Sequence, residues 1–93
     1  MRKNNSTHTF KDLGQLRWAC RRGMLELDVL LGNFLNERFT QLSPLDQASF
    51  TRLLSYPDPQ LFDWLMGSDR PEDDELRKIT EDIRSHARSR IQT

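Results

Sequence analysis

Leu27, Leu30, Leu31, Phe34 and Leu35 recur at i, i+3, i+4, i+7 and i+8. Only an α-helix lines such residues up as one wide apolar face, and that face has to be buried against something. The rest of the chain offers only helices for the purpose. No segment alternates apolar and polar residues with period two, and no Asn-Gly or Asp-Gly pair marks a hairpin. The expectation is an all-α protein, a compact bundle of about five short helices.

The other helices announce themselves by their ends. Leu13, Leu16 and Cys20 fit one face of a first helix, with Asp12 as its N-cap and Gly14 weakening it by about 1 kcal/mol relative to alanine. Gly23 is expected to end it in a left-handed conformation, which would leave Arg21 and Arg22 in the last turn facing the negative end of the helix dipole. Glu26 and Asp28 fall in the first turn of the Leu27 helix, the end that favours acids. Ser43-Pro44 opens a third helix by cap and N1 proline, with Leu45, Ala48 or Ser49, Phe50, Leu53 and Leu54 as its apolar face. Tyr56-Pro57 closes it. Asp58-Pro59 repeats the device for a short helix over 60–66, stopped by Gly67. The last helix spans about 73–88, its ridge formed by Leu76, Ile79, Ile83 and Ala87. Burial of the first three contributes roughly 1.5–3 kcal/mol each. Phe34, Phe50, Phe62 and Trp64 read as core, whereas Trp18 and Trp64 are each large enough to sit at an interface.

Ninety-three residues make one domain with one modest core. Residues 1–11 are a polar, flexible N-terminus, 12–88 the helical domain and 89–93 a flexible tail. No apolar run approaches the ~18 residues that a membrane span requires, and no signal-peptide region follows Met1. A single cysteine, Cys20, fits a reducing compartment. The expected location is the cytoplasm. Net charge is zero but unevenly spread: +5 over residues 1–22, −8 over 23–75 and +3 over 76–93. A dominant basic field, the mark of a nucleic-acid binder, is missing. A dipolar surface suits orientation on a protein partner.

Catalytic and metal chemistry find little support. His8, His86 and Cys20 are scattered rather than set at ligand spacing, and Cys20 has no histidine near it to act as base. On the apolar side of its helix it reads as a small hydrophobe. No glycine-rich phosphate loop occurs. Glu72-Asp73-Asp74-Glu75 reads as a solvated first turn matched to the helix dipole. What remains is the corner Trp18-Ala19-Cys20-Arg21-Arg22-Gly23-Met24-Leu25-Glu26-Leu27-Asp28. It is either a helix stop with dipole-matched charges or an exposed pairing of arginine with glutamate. In the second case the arginine fork is offered to a carboxylate or phosphate, and the glycine permits a tight turn or a partner's close approach.

At these residues the chain resembles the SdhE-type family, the succinate dehydrogenase assembly factors that promote flavinylation. Arg22, Gly23 and Glu26 match that family's Arg-Gly-x-x-Glu motif. Phe50-x-x-Leu53-Leu54, Asp58-Pro59, Leu61-Phe62 and Trp64-Leu65-Met66 follow in the family's order, so the resemblance covers about residues 16–88. It implies a bacterial member with a five-helix bundle that is not itself an enzyme. It also implies a partner, the flavoprotein subunit of succinate dehydrogenase and often that of fumarate reductase, to which FAD becomes covalently attached. FAD would be the partner's cofactor and not one held by this chain. Arg22, Gly23 and Glu26 would face the flavoprotein, with Arg21, Asp28 and Trp18 at the rim. No nucleic acid or membrane is implied, and the chain would be a monomer or weak homodimer. The competing reading is a small helical regulator, antitoxin-like or nucleic-acid-binding, using the basic residues of 1–22 with Arg84, Arg88 and Arg90.

Overall fold

The computed structural model describes residues 13–91, so the Asp12 cap and the polar stretch before it lie outside the described residues. Five α-helices follow one another: α1 (Leu13–Ala19), α2 (Leu25–Arg38), α3 (Pro44–Leu53), α4 (Asp58–Met66) and α5 (Asp74–Ile91). A single 3-10 turn, Phe39–Gln41, continues the end of α2. The expected all-α bundle is what the chain forms. Among the described residues no helix is long and apolar enough to cross a membrane.

The stripe on α2 is the axis of the core. Leu27, Leu31, Phe34 and Leu35 are buried. α5 lies against α2, α3 and α4, so its Leu76, Ile79 and Ile83 close the centre of the molecule. Phe34 and Phe50 stack at 5.6 Å with a tilt of 31°, and Phe39 adds a third ring 5.6 Å from Phe50. Such offset contacts add a favourable quadrupole term to the area they bury. Trp64 is core, packed 5.0 Å from Tyr56, whereas Trp18 stands 75% exposed. Phe62 is half-buried at the edge.

Local signals account for three of the helix ends. Ser43 Oγ accepts the Asp46 amide at 3.1 Å, with Pro44 at the first helical position. Gly67, at φ +90°, takes the left-handed conformation that ends α4. Asp73 Oδ1 accepts the Leu76 amide at 2.9 Å and so caps α5.

Four expectations are corrected. Leu45 is 58% exposed, because it sits in the first turn of α3, one turn before the Ser49–Phe50 pair where burial begins. α1 stops at Ala19 and not at Gly23, its end closed by the Cys20 amide on the Leu16 carbonyl and the Arg21 amide on that of Trp18. α4 begins at Asp58 itself, with Pro57 in the cap position and no side-chain cap bond. α5 runs past Arg88 to Ile91. There Glu37, at the end of α2, takes both His86 Nε2 at 2.8 Å and the guanidinium of Arg90. His86 is also buried, edge-on to Phe34 at 5.6 Å, a placement its sequence position did not announce.

These contacts make an acid prediction. Hydrogen bonds from Arg90 and then His86 hold the Glu37 carboxyl below its usual 4.5, and the Leu76 amide and Arg52 hold Asp73 below 3.8. A carboxyl depressed in the folded state binds fewer protons there than in the unfolded chain, so acid favours unfolding. Their contribution is complete above those ordinary values and is lost as pH falls through the lower folded ones. Urea unfolding across acid pH is expected to show a smaller loss of stability in Glu37→Gln and Asp73→Asn than in the parent. Equal losses in all three proteins would refute it.

Candidate functional site: the corner between the first two helices

Between Ala19 and Leu25 the chain has five residues in which to turn from α1 into α2, and each has a distinct task. Cys20 plugs into the core at 1% exposure. Burial pushes its thiol up to about 12, against the weaker lowering pull of Arg22 and Arg17, so the sulfur stays a protonated packing group. Arg21 points outward, its guanidinium carbon 5.9 Å from the centre of the exposed Trp18 ring, a cation–π pair. Gly23 sits at φ +86°, and a Cβ placed there meets no atom within 4 Å beyond its two chain neighbours. The glycine is therefore required by backbone conformation and not by crowding within this chain. Met24 is extended (φ −118°, ψ 114°), half-buried against the core, and its carbonyl accepts the Asp28 amide at 2.9 Å to start α2.

Arg22 differs most from the expectation of an exposed fork. Its side chain is only 16% exposed, and its guanidinium is turned inward. Nε donates to Asp58 Oδ1 at 2.8 Å. Nη1 donates to the carbonyls of Ala19 (3.0 Å) and Leu54 (2.9 Å), and Nη2 to that of Tyr56 (2.8 Å). The Arg22 backbone amide donates to Asp28 Oδ1 at 2.6 Å. One residue thus ties together the end of α1, the first turn of α2, the end of α3 and the start of α4. Its charge still answers the dipole of α1, by reaching back to the Ala19 carbonyl rather than by standing in the last turn. A hydrogen bond to a charged group typically contributes ~1.5–3 kcal/mol, and the four here share one cation, so they do not add.

Asp28 is therefore half-buried and internally engaged, whereas Glu26 is exposed. Trp18, Arg21, Gly23 and Glu26 are presented to solvent; Arg22 and Asp28 are not. Two further apolar residues are exposed where α2 begins: Leu25, 74% exposed, and Val29 one turn later. They lie off the buried stripe of α2, an apolar i, i+4 pair whose mismatch with that stripe was the available signal. Asp58 carried a weaker signal, a carboxylate held between two prolines, with nothing to show that it would meet a residue 36 positions away.

Elsewhere an open, polar groove is lined by Arg38, Gln41, Ser43, Asp46, Lys78 and His86. Its lysine is already shared between Asp46 (2.9 Å) and Asp82 (3.3 Å). Among the described residues, no three histidine, cysteine or carboxylate side chains gather as metal ligands would.

Known proteins resemble the chain over the same region. The family model described as flavinator of succinate dehydrogenase (Sdh5) matches residues 14–87. FAD assembly factor SdhE of Colwellia psychrerythraea is 50% identical over 78 residues, which cover 83% of this chain and 86% of that protein. The Coxiella burnetii protein of the same name is 49% identical over 69 residues, covering 74% and 84%. The solution structure of a UPF0350 protein superposes with a TM-score of 0.71 at 42% identity, over 85% of this chain and 84% of that one. The match runs from α1 into α5, and the chain belongs to the family of flavinators of succinate dehydrogenase.

Proposed function

We propose that this protein binds the flavoprotein subunit of succinate dehydrogenase in the cytoplasm and promotes covalent attachment of FAD to it by positioning, with no catalytic residue of its own. The same reading extends to the flavoprotein subunit of fumarate reductase. The observation that carries it is the corner: an exposed indole, arginine, glycine and glutamate on a turn braced by a buried arginine, in a chain about half identical to proteins named FAD assembly factors.

Covalent flavinylation needs the isoalloxazine edge and an acceptor histidine of the flavoprotein held in near-attack geometry, and orientation alone is worth several kcal/mol of a barrier. A small rigid bundle suits that task. Trp18, Leu25 and Val29 supply apolar contact, the first as an amphipathic anchor of the kind enriched at binding hot spots. Arg21 and Glu26 set orientation by charge. Gly23 lets the partner's surface approach the backbone.

The test is co-expression with a flavoprotein subunit, reading covalent flavin by in-gel fluorescence and association by co-purification. This protein is expected to raise flavin fluorescence and to co-purify with the subunit. A subunit that stays unflavinylated and is not captured would end the reading.

A further inference from the structure

We infer that Arg22 acts from inside the corner as a positioning residue, and that Asp58 of α4 belongs to the same functional unit, although it lies 36 residues away from the motif. This rests on the flavoprotein-binding reading above, and its test separates the two. The argument is one of donor capacity. A guanidinium has five N–H groups in a fixed plane and accepts nothing. Nε is taken by Asp58, both Nη1 hydrogens by Ala19 and Leu54, and one Nη2 hydrogen by Tyr56. One N–H is left. Bidentate capture of a partner's carboxylate or phosphate needs two parallel donors, from Nη1 with Nη2 or from Nε with Nη2. Each route requires a bond of the clasp to break.

The acceptors also explain why this residue has to be arginine. They come from three directions, and a lysine ammonium is a single point on a flexible stem that cannot meet them as a planar fork does. The backbone amide of Arg22 fastens the linker to Asp28 at 2.6 Å, so the guanidinium and its own peptide grip α4 and α2 at once. The angle between α1, which carries Trp18, and α2, which carries Glu26, is thus set through Arg22. Asp58 completes the grip by neutralising a charge that is 16% exposed. In this arrangement the motif has an outer part that meets the partner (Trp18, Arg21, Gly23, Glu26) and an inner part that aims it (Arg22, Asp28, Asp58).

The experiment uses the full chain and its Arg22→Ala, Arg22→Lys, Asp58→Ala, Asp58→Asn and Arg22→Ala/Asp58→Ala variants, each studied well below its own melting temperature. Amide NMR spectra need no partner. Asp58→Ala is expected to move the Trp18 indole and the Gly23 and Glu26 amide resonances in the same direction as Arg22→Ala. Against the flavoprotein subunit, Asp58→Ala is expected to weaken binding by about tenfold, a change of ~1.4 kcal/mol. Asp58→Asn, which keeps an acceptor oxygen, should recover part of that loss. Arg22→Lys should not recover what Arg22→Ala loses. The double variant should bind no more weakly than Arg22→Ala, because both act through one clasp.

Corner resonances that stay in place in Asp58→Ala overturn the inference whatever the partner does. So does an Arg22→Ala protein that loses binding while its corner spectrum and the affinity of Asp58→Ala are unchanged, since Arg22 would then touch the partner itself. Additive losses in the double variant overturn it as well. If the corner resonances shift as expected but the unmodified protein does not bind the flavoprotein, it is the functional reading that fails and the clasp that stands.

Discussion

Gly23→Arg is expected to abolish binding to the flavoprotein subunit while the bundle stays folded. At φ +86° any L-residue pays for its Cβ, by about 1–2 kcal/mol, and asparagine pays least. Beyond the adjoining residues Arg22 and Met24, no atom of the described chain lies within 4 Å of the position a Cβ would take, so a Cβ adds no clash with the rest of the bundle. Stability and binding should therefore rank the substitutions differently. Melting temperature should follow backbone tolerance, with glycine above asparagine and asparagine above alanine and arginine together. Each kcal/mol corresponds to a shift of roughly 4–8 °C in a domain this size. Binding should follow size instead, with alanine and asparagine impaired modestly and arginine losing it altogether, because a long cation fills the space a partner needs. Thermal unfolding by circular dichroism and titration calorimetry on the four proteins make the test. An arginine variant that binds as well as the alanine variant would remove Gly23 from the contact surface and leave it a purely conformational glycine.

The largest effect on stability is expected at Phe50. It is fully buried and has two rings, Phe34 and Phe39, each 5.6 Å away. Phe50→Ala should cost about 3–5 kcal/mol in lost transfer energy and an unfilled cavity. A small domain has only about 5–15 kcal/mol in total, and at about 4–8 °C per kcal/mol the melting temperature should fall by roughly 12–40 °C. Leu45→Ala on the same helix should change stability by no more than about 0.5 kcal/mol, the usual range for an exposed position. Sequence periodicity had placed both residues on one apolar face, so the contrast tests the burial pattern directly. Comparable losses at the two positions would show that α3 does not bury Phe50 while leaving Leu45 in solvent.

Much of the fold is legible in the sequence. The α2 stripe, the Ser43-Pro44 start of α3, the Gly67 stop and the apolar ridge of α5 all act within one or two turns, and local chemistry determines them alone. The misreadings share a different property. Leu45 satisfied the period of α3 but lies beyond the reach of the core, and burial depends on which helices arrive opposite. Asp58 had the composition of a cap and became an ion-pair partner, because Arg22 competes for its carboxylate. Arg90 was expected in a fraying tail, yet it meets Glu37 across 53 residues of sequence.

The corner divides along the same line. By itself the sequence determined that a turn with a glycine, adjacent arginines and a following glutamate joins the first two helices, since backbone tolerance and helix-end charge are local properties. Only the tertiary structure decided which of those charges points outward. Arg22 and Arg21 are neighbours with identical side chains, and nothing local separates them. Three carbonyls and a carboxylate brought in by α1, α3 and α4 draw Arg22 inside, and Arg21, left without such acceptors, lies over Trp18 at the surface.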